Sequence, residues 1–347
     1  MKAALLREYG KIETEEVPVP EYGNDEVLVR VKYASICGSD QHIFKGEFHP
    51  RTKLPFIPGH EFAGVIAETG KNVKGLKPGD KVTVDPIIWC GKCAACKAGH
   101  YPACTSLKLT GIDMDGGFAE YVAVNQMQIY PLPHNISDEH AALIEVLSIG
   151  FHASNRAGLG LQDTILIQGA GKVGQSILQA VKTITRGKVF LADVLEERLD
   201  IAKKAYPDID CINVNISDPA DYIKEATDGR GVDIAFEAVG HFKEVKNRTN
   251  PVRSSIQSIK GGGKVCVLGL ADEPSPLLMK ELIWKEATII ASRVSHGEFS
   301  KTIEAMGKGL LKPEHMVTSI LPVEEAMKGF EILDTEPEKQ LKVLLKI

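Results

Sequence analysis

Thr164-Ile165-Leu166-Ile167-Gln168-Gly169-Ala170-Gly171-Lys172-Val173-Gly174 is the stretch that decides how the second half of this chain folds. Its first five residues read as a short buried strand. The glycines follow at once, and beyond them Val173, Ile177, Ala180, Val181 and Ile184 recur at helical spacing. A strand that runs through G-x-G-x-x-G into a helix gives that spacing a physical meaning. Gly169 permits the tight turn, Gly171 lets the backbone approach a pyrophosphate, and Gly174 lets helix and strand pack closely. The helix N-terminus presents free N–H groups to the phosphates, which makes Lys172 and Val173 candidates for the same site. The next strand, residues 188–193, ends on Asp193, roughly 20 residues past the glycines, where a carboxylate accepts bonds from both adenosine-ribose hydroxyls. The same charge repels a 2′-phosphate, and no arginine stands at 194 or 195, so the pattern favours NAD over NADP. Arg198 is a further cofactor-binding candidate in the charged helix around residues 195–205.

Working outward, apolar strands are expected at 211–214, 232–236, 264–268 and 287–291, with helical material between most of them. Alternating strands and helices over this length predict a doubly wound parallel sheet. The first 150 residues have another texture. Val27, Val29, Val31 and Tyr33 alternate with Arg30 and Lys32, the period of a half-buried strand. Pro78-Gly79-Asp80 turns the chain before Val82 and Val84, and Gly/Pro punctuation continues to residue 133. Residues 342–347 are strand-like again and are expected to rejoin this first domain. The predicted layout is residues 1–150 with 292–347 in a β-rich domain carrying a lobe at about 88–106, and 151–291 in the α/β domain. A length of 347 residues suits two domains.

Composition closes several other routes. There are 41 Lys+Arg against 46 Asp+Glu, a net charge of −5, which leaves no basic footprint for nucleic acid or anionic lipid. No run approaches the roughly 18 apolar residues of a membrane helix. The first residues lack the apolar core of a signal peptide. A cytoplasmic protein with neither nucleic-acid nor membrane partners is expected. In that compartment thiols stay reduced, so the crowding of four of the seven cysteines into one segment points to metal rather than disulfides.

Those four are Cys90, Cys93, Cys96 and Cys104. Four thiolates on one tetrahedral Zn²⁺ make a closed, structural site. An iron–sulfur cluster and unligated thiols are the alternatives. Lys92 and Lys97 would offset part of the site's negative charge, or simply face water. A second constellation joins Cys37-Gly38-Ser39-Asp40-Gln41-His42 to Gly59-His60-Glu61. Cys37, His60 and Glu61 form a three-ligand set that leaves a zinc position open for chemistry. Asp40 is placed to orient His60 through its other ring nitrogen. Ser39 and His42 are candidates to pass a proton outward to solvent. Glu145 precedes the α/β half and is a second carboxylate able to approach the metal. Arg51, Lys53, Arg293 and His296 read first as surface residues and second as contacts for an anionic substrate.

Taken in order, Cys-Gly-Ser-Asp-x-His, Gly-His-Glu, the four-cysteine lobe, Gly-Gly-Phe-Ala-Glu-Tyr at 116–121, Glu-x-Leu-Ser at 145–148 and the glycine loop resemble the zinc-dependent medium-chain dehydrogenase/reductase family. The stretch Glu145-Val-Leu-Ser-x-Gly-x-His152-Ala with Arg156-Ala-Gly158 resembles its sorbitol (polyol) dehydrogenase branch, with threonine and butanediol dehydrogenases as near relatives. The resemblance implies an α/β protein: a GroES-like β-rich catalytic domain, closed by the C-terminal segment, plus a Rossmann domain. It implies two zinc ions per chain, one catalytic and one structural, NAD as hydride carrier, an alcohol or ketone substrate, and a homodimer or homotetramer. It makes Cys37, His60 and either Glu61 or Glu145 ligands of the catalytic zinc. Threonine-type oxidation and a zinc-free reductase or nucleotide-binding protein are the rival readings. Two features depart from the family. Val146 stands where many relatives have Pro, and the connection from 240 to 262 is long. Asn247-Arg-Thr within it matches a glycosylation sequon that a cytoplasmic protein would not use.

Overall fold

In the computed structural model, which describes every residue except 241–248 and 273, the chain forms two units. The first comprises Met1–Glu145, Phe299–Gly309 and Val317–Ile347. Its main sheet orders the strands Val317–Pro322, Lys342–Lys346, Glu26–Ser35, Glu61–Thr69, Lys81–Val84 and Ile129–Pro131, with Tyr121–Asn125 also paired to Glu26–Ser35. The C-terminal strand does rejoin this unit: Leu344 pairs with Ser35 and Leu345 with Ala34, antiparallel. The alternation read from Val27 to Val31 is present, with Arg30 exposed on the opposite face, although Leu28 on that face is buried as well.

The second unit comprises Val146–Glu298 and Leu310–Met316. Six parallel strands lie in the order Asp210–Asn213, Val189–Asp193, Ile165–Gln168, Val232–Glu237, Ile259–Val267, Thr288–Ala291. Successive residues of Ile165–Gln168 point to opposite faces and serve two cores. Ile165 and Ile167 pack with Ile177, Val181, Leu199 and Phe236 on one side. Leu166 packs with Phe190, Ile223 and Val265 on the other. Strand order reverses at Ile165–Gln168, and in such sheets ligands bind outside the carboxyl ends at that reversal.

The division between units differs from the sequence expectation at three places, each for a local reason. Helix Ile144–Ala157 buries Ala153 and Ala157 in the second core, which draws residues 146–150 there. Glu298 accepts hydrogen bonds from His152 Nδ1 and Asn155 Nδ2, both at 3.0 Å, which ties residues 292–298 to the same helix. Gln179 exchanges two hydrogen bonds with the backbone of Lys312, which holds 310–316 there too.

The long connection is not loop throughout. It contains helix Pro251–Ser258, capped by Asn250 accepting from Arg253 N at 2.8 Å, and the start of strand Ile259–Val267. The sequon residues Asn247 and Arg248 lie outside the described residues. At the sheet edge, Thr288–Ala291 is largely exposed, and helix Met279–Lys285 leaves Ile283 and Trp284 at 69% and 78% exposure. No helix among the described residues is long and apolar enough to cross a membrane.

Candidate active site

The glycine loop takes the form its spacing requires. Gly169 has φ +95°, open to glycine at little cost. A Cβ on Gly174 would stand 1.7 Å from Gly169 O, so only glycine lets the helix start so close to the strand. Helix Lys172–Ile184 begins at Gly171, whose missing side chain provides no cap, so its N-terminus is of the kind that receives a phosphate. Lys172 and Val173 are its first two residues. Asp193 is buried, and both of its oxygens already accept backbone bonds: Oδ2 from Ala170 N at 2.5 Å and Oδ1 from Leu195 N at 2.9 Å. Each oxygen keeps a second lone pair. The carboxylate therefore braces the loop and keeps acceptor capacity in reserve. Arg198 Nη1 lies 3.5 Å from where a Cβ on Gly171 would be, so its guanidinium rests over the turn.

In the first unit, the sulfurs of Cys90, Cys93, Cys96 and Cys104 lie within 4.8 Å of one another. Backbone N–H groups point at them, from Cys90 and Ser106 to Cys104 Sγ and from Cys93 to Cys90 Sγ, each at 3.4 Å. N–H groups of Cys96 and Thr105 draw the Cys93 thiol down to about 5. Burial and the neighbouring thiols push Cys96 up to about 12. Crowded thiols that cannot all ionise alone are a donor set that a dication completes, and four sulfurs on one short segment fit tetrahedral zinc.

The second donor set is assembled by Asp40. Cys37 caps the short helix Gly38–Phe44, and Asp40, wholly buried, accepts from Cys37 N at 2.8 Å. Its other oxygen accepts from Gly59 N at 3.3 Å and stands 3.4 Å from His60 Nδ1. One carboxylate thus ties together both halves of the motif and turns the Nε2 edge of His60 toward Cys37. Ligand atoms of Cys37, His60 and Glu61 fall within 4.8 Å of one another. Ser39 Oγ lies 3.5 Å from Cys37 Sγ and 3.4 Å from His60 Nε2. His42 Nδ1 pairs with Glu47 Oε2, and its ring stacks on Phe48. Arg51 is held by both oxygens of Asp113 at 2.9 and 2.7 Å, which occupies it as an anion contact.

The two glutamates are placed differently. Both oxygens of Glu61 accept from Lys342 Nζ, at 2.6 and 2.5 Å, with both residues at 0% exposure. Burial, the largest single influence, would raise the Glu61 carboxyl, but the charges of Lys342 and His60 with the hydrogen bonds from Lys342 and Ser35 together hold it below its ordinary value. Glu145 is also buried, and its Oε2 has no hydrogen-bond partner among the described residues. Burial first, then the Glu61 charge, push its carboxyl up to about 8. An orphaned buried carboxylate oxygen is rare and costly, and a cation relieves it. The residues present therefore fit a catalytic zinc.

Lys342 was not legible as a site residue. A lysine opening a terminal strand reads as a solvated end. The register Leu344–Ser35 and Ser35–Glu61 brings it instead beside a buried acid.

Comparison with known proteins agrees with this geometry. Residues 23–134 match the alcohol dehydrogenase GroES-like domain, and residues 173–308 match the zinc-binding dehydrogenase domain. Sorbitol dehydrogenase of Bacillus subtilis is 35% identical, over 99% of this chain and 97% of that protein. D-arabitol-phosphate dehydrogenase of Enterococcus avium is 34% identical, over 91% and 89%. The structure of the alcohol dehydrogenase RspB from Escherichia coli, complexed with NADH, superposes with a TM-score of 0.91 at 30% identity, over 100% of this chain and 99% of that one. The chain belongs to the zinc-dependent medium-chain dehydrogenase/reductase family. It is an NAD-dependent alcohol dehydrogenase with zinc as its metal.

Proposed function

We propose that the substrate is a polyol or a closely related vicinal diol, oxidised at a secondary hydroxyl, and that the site residues act as follows. Cys37, His60 and Glu145 hold the catalytic zinc, with Glu61 kept in reserve by Lys342. When bound, zinc polarises the substrate hydroxyl and NAD accepts the hydride. Asp40 fixes the His60 ring. Ser39 Oγ sits at the donor set and takes the hydroxyl proton, and His42, backed by Glu47 at an exposed position, hands it to water. In the second unit, the glycine loop, Asp193 and Arg198 bind the dinucleotide. The observation that carries the reading is the orphaned, buried Glu145 oxygen in the unit that brings Cys37 and His60 together. Similarity to sorbitol and arabitol-phosphate dehydrogenases supports the polyol class.

The test follows NADH formation over sugar alcohols, sugar acids, cyclitols, threonine and small diols, beside a zinc determination. Polyols are expected to give the highest kcat/KM, with about two zinc per chain. A preference for threonine, or one zinc or none, overturns the reading.

The assembly is proposed to be a homodimer formed at the exposed edge strand Thr288–Ala291 and the apolar residues of helix Met279–Lys285. An unpaired strand edge invites a second strand, and among the described residues nothing buries Ile283 and Trp284. Trp284→Glu combined with Ile289→Lys is expected to give a monomer in sedimentation. An unchanged mass places the interface elsewhere.

A further inference from the structure

We propose that Gln175 is a positioning residue for the adenosine half of the dinucleotide, holding Arg198 against the turn at Gly171; this rests on the cofactor reading of the glycine loop. Gln175 is the fourth residue of helix Lys172–Ile184 and is buried, in a helix whose other inward residues include Ile177, Leu178 and Val181. Side chains on a helix lean toward its N-terminus, and this one leans back over the turn it follows. Its amide nitrogen donates to Ala170 O at 3.3 Å and to Arg198 O at 3.1 Å. A primary amide has two N–H donors, and here each goes to a different element: one to the glycine loop, one to helix Glu196–Ala205.

Ala170 is gripped from its other side as well, since its N–H donates to Asp193 Oδ2. Both peptide groups of that residue are therefore fixed, and the backbone of Arg198 is fixed to the same point. The guanidinium rests over Gly171, the N-cap of the helix. A cation and a set of N–H donors are thus in place before any phosphate arrives, and ordering them beforehand lowers the cost of binding. An apolar side chain at 175 would fill the same space while releasing both carbonyls. The buried polarity of this position serves the loop rather than the core.

The experiment is an NADH fluorescence titration with ADP-ribose as competitor, on wild type, Gln175→Met, Arg198→Ala, the double variant and Asp193→Ala. Gln175→Met is expected to raise Kd for both ligands about tenfold while kcat at saturating NAD stays within about twofold. Added to Arg198→Ala, it should raise Kd by less than about twofold more, because the two act as one unit. If Asp193→Ala weakens NADH and Gln175→Met does not, the inference is overturned and the cofactor reading stands. It is equally overturned if Gln175→Met costs the same factor with and without Arg198. If Asp193→Ala leaves NADH binding unchanged, the cofactor reading itself falls. Should Gln175→Met not fold, Gln175→Glu sets an acceptor against the same two carbonyls and is expected to give a similar rise in Kd. No rise there overturns the inference.

Discussion

Replacing Cys37 with Ala is expected to cut polyol oxidation by at least about a thousandfold, the several kcal/mol that a polarising cation supplies at a reacting oxygen. Zinc content should fall from about two per chain to about one. The cofactor supplies the control. Cys37 belongs to the first unit and the glycine loop to the second, so NADH titration of this variant should match wild type within about twofold. Cys93→Ala makes the opposite comparison. It removes one sulfur of the four-cysteine lobe, where no position is left open for a substrate, and should lower thermal stability more than Cys37→Ala does. If Cys37→Ala keeps both zinc ions and its turnover, the metal is not held where Asp40 brings sulfur and imidazole together. If it loses NADH binding as well, the variant has damaged the fold, and the comparison moves to His60→Ala with the same two readouts.

The parts of this site that lay open in the sequence are those whose chemistry depends on local spacing. Gly169, Gly171 and Gly174 sit within one turn. Cys90 to Cys104 occupy one short segment, and Cys37 and Asp40 share one helical turn. Each is legible because a few consecutive dihedral angles fix the geometry. The parallel sheet was legible for a similar reason: short apolar strands alternate with periodic helices. What stayed hidden depends on tertiary register. Lys342 looks like any strand-end lysine until the C-terminal strand is set beside Glu26–Ser35. Gln175 looks like an ordinary helix residue until Arg198 O is found above it. Glu47 beside His42 was hidden in the same way, since no spacing rule brings that carboxylate to the ring. The choice between Glu61 and Glu145 likewise waits on which carboxylate another residue has already taken.

That choice yields the second large effect. Lys342→Met would leave the Glu61 carboxylate buried without its partner, and breaking such a pair costs about 3–5 kcal/mol. For a protein of this size, the melting temperature should fall by roughly 10 °C. Glu61→Gln in the same chain removes the stranded charge and should recover more than half of the loss, since the penalty belongs to the unpaired ion rather than to the missing attraction. Zinc content then separates the two glutamates. Lys342 already sits on both oxygens of Glu61 and would compete with a metal for their remaining lone pairs, whereas Glu145 Oε2 has no hydrogen-bond partner among the described residues. The double variant is therefore expected to keep about two zinc per chain, and Glu145→Ala to keep about one. The reverse result would make Glu61 the ligand. Lys342 would then be a competitor that zinc must displace, and Lys342→Met alone should bind zinc more tightly even as it loses stability. Measuring zinc affinity and melting temperature on the same four proteins decides between these arrangements, because in one Lys342→Met lowers the melting temperature and leaves zinc affinity unchanged, and in the other the affinity rises as the melting temperature falls.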